Sequence, residues 1–222
     1  VLEYKDGVSF FGSSSGWENK VEMGKGRSAG IEFMAQKTAG KTTGWLSYTL
    51  SKSDRKFTKG GINNGEWFPY KYDRRHSINL TINHKFSDRI DIGASWVFYT
   101  GGTSTIPEEK TTVIRPHNGA NNGFLWYGTY DNTNSSPTIG DVSYIEHRNN
   151  FRLPASHRLN LGVNFNKKTK HGMRTWNISL YNAYNAMNPA WVYRGHNKQG
   201  LSVIKKYTLL PLIPSFTYTY KF

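Results

Sequence analysis

Pro214-Ser-Phe-Thr-Tyr-Thr-Tyr-Lys-Phe222, the last nine residues of the chain, put Phe216, Tyr218, Tyr220 and Phe222 on one face of an extended strand and Ser215, Thr217, Thr219 and Lys221 on the other. An aromatic stripe needs an apolar partner, and a soluble protein rarely leaves one on a terminal strand, which usually frays. In a transmembrane barrel the same stripe faces lipid, with its aromatics in the interface girdle. The last strand of a soluble sandwich also alternates with a period of two, so the rest of the chain has to decide between them.

The segments upstream repeat the pattern. Trp176, Ile178 and Leu180 oppose Asn177, Ser179 and Tyr181, while Leu159, Leu161, Val163 and Phe165 oppose Asn160, Gly162 and Asn164. Ile90, Ile92, Ala94, Trp96 and Phe98 oppose Asp91, Gly93 and Ser95; Ile78, Leu80, Ile82 and Phe86 oppose Asn79, Thr81 and Asn83, with His84 an exception on the apolar side. Leu46, Tyr48 and Leu50, then Ile31, Phe33 and Ala35, continue the series. A weak initial segment around Leu2 to Phe11 brings the expected number of passes to eight. A period of two across nearly every segment rules out an amphipathic helix. The opposing face of Asn, Thr, Ser, Gly, Asp and Glu suits a wet lumen better than a closed core.

The joins alternate in length. Short ones fall near Thr38 to Thr42, Ser87 to Arg89 and Asn166 to Arg174; long ones fall near Gly12 to Gly26, Asp54 to Asp73, Gly101 to Ser156 and Asn185 to Ser202. A membrane barrel has short turns on the periplasmic side and long loops outside, so the asymmetry predicts the direction of every strand and a periplasmic carboxy terminus. A central join of this length is out of place in a compact soluble domain.

Composition narrows the remaining classes. The chain has 222 residues, 36% hydrophobic and 15% aromatic, and no cysteine, which excludes disulfides and thiolate metal sites. No run approaches the 18 or so apolar residues of a membrane helix. It begins at Val1 without a basic and apolar leader, the expectation being a mature product or a piece of one. The formal charge of +14 raises the question of nucleic acid. Its distribution answers it: Lys37, Lys41, Lys85, Arg89, Lys167, Lys168, Lys170 and His171 lie in or beside turns, and Lys52, Arg55, Lys56, Lys59, Lys71, Arg74 and Arg75 flank one loop. Solvated rims account for most of these charges, and basic rims can also meet lipid phosphates. No recognition helix, zinc spacing or RNA-binding motif accompanies them, so no nucleic-acid partner is expected.

Two places invite a functional reading. In the join from Gly101 to Ser156, Arg115, His117, Trp126, Tyr127 and Tyr130, with Phe124, Asp131 and Asp141, mix aromatics with amides and charges that could stack on a sugar or clamp a peptide. The alternative is a loop that folds on its own aromatics over a barrel mouth. In Asp73-Arg-Arg-His76, paired arginines could hold a phosphate or carboxylate, or could serve an interface with headgroups; Trp67, Phe68 and Tyr70 just before it could form a girdle or a ligand shelf. The histidines lack a compact ligand spacing on any one strand and no nucleophile elbow is present, so neither a metal site, a cofactor nor enzyme activity is expected. Asn182, Asn185, Asn188 and Pro189, and further on Pro211 and Pro214, are fold signals where pairing should break or bend.

Together, Gly24-Lys-Gly-Arg-Ser-Ala-Gly-Ile-Glu32, Gly40-Lys-Thr-Thr-Gly-Trp-Leu-Ser-Tyr-Thr-Leu-Ser51, Phe68-Pro-Tyr-Lys-Tyr-Asp-Arg-Arg-His76, Trp176-Asn-Ile-Ser-Leu-Tyr-Asn-Ala-Tyr-Asn185 with Asn188-Pro189, and terminal Phe222 resemble the carboxy-terminal barrel region of TonB-dependent outer-membrane receptors of the Bacteroidetes. The aromatic end also looks like the carboxy-terminal signal read by the barrel-assembly machinery. The resemblance covers essentially the whole chain and implies an all-β, antiparallel transmembrane barrel segment of about eight strands. This segment, residues 1–222, would be the carboxy-terminal part of a barrel of about twenty-two strands. It implies an active importer whose plug, earlier strands and TonB-contact segment lie outside these residues, with outer-membrane lipid as surroundings and a surface lipoprotein as a further partner. The residues themselves leave open a self-contained eight-stranded outer-membrane barrel, as pore or adhesin, and a soluble β-rich binding module.

Overall fold

The computed structural model of the protein describes residues 1–4, 21–57, 62–115 and 138–222. Within them the chain is all-β and antiparallel, without an α-helix. The main sheet runs β1 (Leu2–Tyr4), β2 (Val21–Lys37), β3 (Thr42–Phe57), β5 (His76–Lys85), β6 (Ile90–Tyr99), β11 (Ser156–Thr169), β12 (Gly172–Tyr181) and β15 (Ile213–Lys221). Each strand pairs with the one before it along this path, and β4 (Phe68–Pro69) adds a short rung to the end of β3. Seven of these strands match the period-two segments in order; of the initial segment expected around Leu2 to Phe11, only Leu2–Tyr4 lies among the described residues. The remaining strands belong to the long joins: β7 (Thr103–Ser104) pairs with β10 (Phe151–Arg152), β8 (Glu109–Arg115) with β9 (Thr138–Tyr144), and β13 (Pro189–His196) with β14 (Ser202–Thr208).

Several strands outrun their sequence-based limits. β2 begins at Val21, inside the expected Gly12 to Gly26 join, and β3 continues to Phe57. The join expected from Asn166 to Arg174 shrinks to Lys170 and His171, because β11 and β12 pair down to Thr169 opposite Gly172. The charged and glycine residues that read as loop are strand here, since a neighbouring strand supplies a ladder for their backbone groups. The join after β12 is itself a hairpin, β13–β14, with a register irregularity between Pro189 and Trp191 where proline withholds an N–H. Pro214 lies in β15, opposite Leu180, on a strand whose other side has no described partner.

The register keeps every apolar segment on one face. Ile31 sits opposite Leu50, Tyr48 opposite Ile78, Leu80 opposite Trp96, Ala94 opposite Leu161, Val163 opposite Ile178 and Trp176 opposite Tyr218. A slip of one residue at any pair would turn a whole strand over, so this agreement across seven strands is the main specification of the fold.

Nothing described packs on that face. Ile31 is 73% exposed, Phe33 58%, Ile178 50% and Phe216 65%. Among the described residues the buried hydrophobic ones are Phe57, Ile62, Phe68 and Ile106, which belong to the long-join end of the sheet. β1 pairs with β2 alone and β15 with β12 alone, so the described sheet is open with two edges, and closure into a barrel is not among its pairings.

Candidate functional site

The apolar face is graded along the strands. Toward the short turns it carries Phe86, Phe165, Trp176, Tyr218, Tyr220 and Phe222, with Trp176 4.5 Å from Tyr218 and 5.1 Å from Phe216 between ring centres. Toward the long joins it carries Tyr48, Trp96, Phe98 and Tyr184; Trp96 Nε1 donates to Tyr184 Oη at 3.1 Å, and His157 Nδ1 lies 2.8 Å from the same oxygen. Between these rows lie Leu80, Ile82, Ile92, Ala94, Leu161, Val163, Ile178 and Leu180. The 10 residues of β6 are about 34 Å long at roughly 3.4 Å each, or about 26 Å in height at a tilt of about 40°. His84, the exception in the alternation, stands at the short-turn end, where its Nδ1 meets Thr42 Oγ1 at 2.7 Å and its ring meets the Phe86 edge at 4.4 Å.

The opposite face is wired by side-chain amides. Asp91 accepts from Asn164 and Asn166, both at 2.6 Å; Asn164 Oδ1 accepts from Asn177 at 2.7 Å, and Asn166 Oδ1 from Thr175 at 2.8 Å. Asn160 donates to Ser95 Oγ at 3.1 Å. Hydrogen bonds to a charged acceptor contribute about 1.5 to 3 kcal/mol each, so Asp91 ties β6 to β11, and the neutral bonds from Asn177 and Thr175 carry the network on to β12. The sequence marks this face as polar, but only the register shows that the amides interlock rather than merely meet water.

Above the sheet, the long joins are tied together around Asp73. Its side chain is fully buried: Oδ2 accepts from Arg152 Nη2 at 2.6 Å and Arg75 Nε at 2.9 Å, and Oδ1 accepts from the Ser53 backbone N–H at 2.7 Å. Arg152 Nη1 also donates to the backbone oxygens of Asp73 and Gly101, each at 2.9 Å. Nearby, Asn63 exchanges hydrogen bonds with the Arg148 backbone, Asn149 donates to Pro69 O, and Asn150 both donates to Ile106 O and accepts from Ile106 N. Gly101 is held so close that an added Cβ would lie 2.0 Å from Leu153 O.

Burial alone would push the Asp73 carboxyl up, but the hydrogen bonds from Arg152 and Ser53 and the charge of Arg75 outweigh it and hold the group below the usual carboxylate range. With a depressed native value, its stabilising contribution is fully present above pH of about 3.8 and is lost as the pH falls below that, through the native value. We expect pepsin to open the joins around residues 100–108 and 148–155 only below about pH 3.8. Cleavage there already at about pH 5 would show that the Asp73 cluster does not close this cap.

The residues singled out by sequence divide accordingly. Arg75 is engaged by Asp73 and Arg74 lies over the Tyr99 ring at 4.1 Å, so the two arginines do not form a joint anion clamp. Phe68 packs against Phe57 in the small core and is neither girdle nor shelf; Tyr70 receives the Arg55 guanidinium at 3.6 Å, and Trp67 that of Arg27 at 4.3 Å. Asn182 is buried and clasps the join after β12, donating to Ala186 O and Leu210 O and accepting from Ala186 N. Of the ligand candidates, Arg115 closes β8, while His117, Trp126, Tyr127 and Tyr130 lie outside the described residues. Glu108, Glu146 and His147 bring potential ligand atoms within 4.8 Å of one another, a grouping that single-strand spacing could not reveal; both glutamates are exposed, and Asn150 donates to Glu108, so the trio carries no metal assignment.

No known protein family, no curated protein sequence and no solved structure matches this chain.

Proposed function

We propose that the chain is a wall segment of an outer-membrane β-barrel, belonging to a TonB-dependent active importer, and that it has no catalytic role. The observation that carries this reading is the uncovered apolar face, continuous over seven strands and bordered by aromatic rows. In water such a face would be an aggregation surface; against acyl chains it is at its lowest free energy, and about 26 Å of height matches the apolar band of outer-membrane barrels. The amide-wired face would then line the lumen against a plug, and the long joins would receive the ligand outside the cell. Two open sheet edges also favour a segment that further strands complete, since unpaired backbone groups are costly in lipid. The importer assignment rests on the resemblance of the motifs, which also supplies the remaining partners: the plug and other strands of the same receptor, TonB acting through them, a surface lipoprotein and the barrel-assembly machinery.

The deciding experiment is fractionation of the source cell, followed by the intact mass of the native polypeptide. Extraction only with detergent, at several times 25.3 kDa, is expected. A water-soluble polypeptide would overturn the membrane reading. A detergent-extracted polypeptide near 25.3 kDa without a second chain would replace the importer by a self-contained small barrel.

The aromatic end gives a second expectation. Phe222, fully exposed beyond β15, and the stripe of Phe216, Tyr218 and Tyr220 form the assembly signal. Phe222→Ala should lower the amount of folded protein in the outer membrane several-fold without changing synthesis, read as the heat-modifiable band on a gel. Unchanged membrane yield would count against this role.

A further inference from the structure

Directly beyond the apolar band, on the same face of β2 and β3, the side chains change to cations. Counting outward from the Ile31–Leu50 pair, the register places Ala29 opposite Lys52, Arg27 opposite Asp54 and Lys25 opposite Lys56, with no bulge to change their facing. Asp54 is buried among them and accepts from Arg27 Nε at 3.1 Å and Nη2 at 2.9 Å, with Lys52 Nζ at 3.4 Å. The exposed Trp67 ring lies 4.3 Å from the Arg27 guanidinium, an aromatic at the level where the band ends.

The charges do not balance. Among the described residues at this end of the face, four cationic side chains, Lys25, Arg27, Lys52 and Lys56, less the one carboxylate of Asp54, leave three positive charges. Lys25 and Lys56 are direct cross-strand partners, and neither has an ion pair among the described residues. Like charges opposite each other destabilise a sheet unless a counter-charge lies near them. Here they sit at the end of an apolar face that, on the reading proposed above, meets acyl chains. That is the height at which lipid phosphates lie.

We propose that Lys25, Arg27, Lys52 and Lys56 form a binding site for the phosphate headgroup of an anionic lipid whose acyl chains lie on Ile31, Phe33 and Leu50. Asp54 holds the charged ends of Arg27 and Lys52 together, and Trp67 marks the boundary between headgroup and chain. The inference rests on the lipid-facing assignment of the sheet and adds to it a headgroup chemistry and a location.

The test uses the full native protein, purified in a neutral detergent and exchanged into nanodiscs of phosphatidylcholine with a minor fraction of a phosphorylated anionic lipid, such as lipid A. Co-purified lipid is quantified by mass spectrometry for the unaltered protein, for Lys25→Gln/Lys56→Gln, and for a charge-matched control at the short-turn end, Lys167→Gln/Lys168→Gln. We expect enrichment of the anionic lipid over its bulk fraction, lowered about tenfold or more by the first variant and little changed by the control. Equal loss in both variants would reduce the effect to overall charge and overturn the site. Displacement of the lipid by millimolar inorganic phosphate would identify a free-anion site and overturn the lipid assignment. If the unaltered protein holds phosphatidylcholine without anionic preference, the site fails while the lipid-facing sheet stands. If it holds no lipid and stays dispersed without detergent, the lipid-facing reading fails as well.

Discussion

An arginine at Ile92 or Leu161 should destabilise the protein in a bilayer by about 2 to 4 kcal/mol, the penalty for a charged side chain at mid-membrane on the lipid face of a barrel. Leu161 lies between Ala94 and Leu180, in the aliphatic zone between the two aromatic rows, and Ile92 lies between His84 and Val163 on the short-turn side of that zone. A guanidinium at Leu161 is the farther of the two from water along its own stem. The control is Asn79→Arg, one strand away from Ile92 but exposed on the amide-bearing face, which should cost less than about 1 kcal/mol if that face lines a lumen as proposed. Reversible urea unfolding in lipid vesicles reads all three. Wild-type stability of both Ile92→Arg and Leu161→Arg would reverse the facing assignment of the entire sheet, because the register couples every strand to these two.

Asp73→Ala should cost about 3 kcal/mol, toward the low end of what breaking a buried pair costs, because Arg75 and Arg152 keep about a third of their side-chain surface exposed. The loss is local. Two guanidinium groups and the Ser53 N–H lose their carboxylate acceptor, and Arg152 is left with only its bonds to the backbone oxygens of residue 73 and Gly101. Hydrogen exchange should show the amides of Thr103 and Leu153, which donate to Lys71 O and Gly102 O, losing protection while those of β6 and β11 keep theirs. Protection unchanged at Thr103 and Leu153 would mean that the cap is held elsewhere. Asp73→Asn, which keeps an acceptor oxygen, should recover part of the difference.

The sheet was legible because its physics is local and redundant. Strands that alternate Leu159-x-Leu161-x-Val163-x-Phe165 or Ile90-x-Ile92-x-Ala94-x-Trp96 state their own facing, and neighbours such as Ala94 and Leu161 confirm it through register. Strand ends were less legible, since Gly24 and Gly26 read as loop while supplying ordinary ladder groups; Gly24 is glycine because an added Cβ would lie 2.5 Å from the Phe57 ring. The cap was not legible at all as a set. Arg152 reaches Asp73 across 79 residues and Asn63 reaches Arg148 across 85, and nothing in either neighbourhood encodes its partner. The same holds for the Lys25–Lys56 pair, which sequence divides between a glycine-rich join and a basic loop, and which only antiparallel register brings together.

The clasp made by Asn182 governs the base of the hairpin after β12. By bonding Ala186 at one side of the join after β12 and Leu210 at the other, a single amide brings the two feet of the β13–β14 hairpin together before the chain enters β15. Asn182 itself has φ of 54°, a conformation that asparagine tolerates better than most residues. The base of the hairpin is thus set from the sheet side, by one residue, while its far part is tied separately to another join, through Arg194 donating to Pro107 O and Glu108 O.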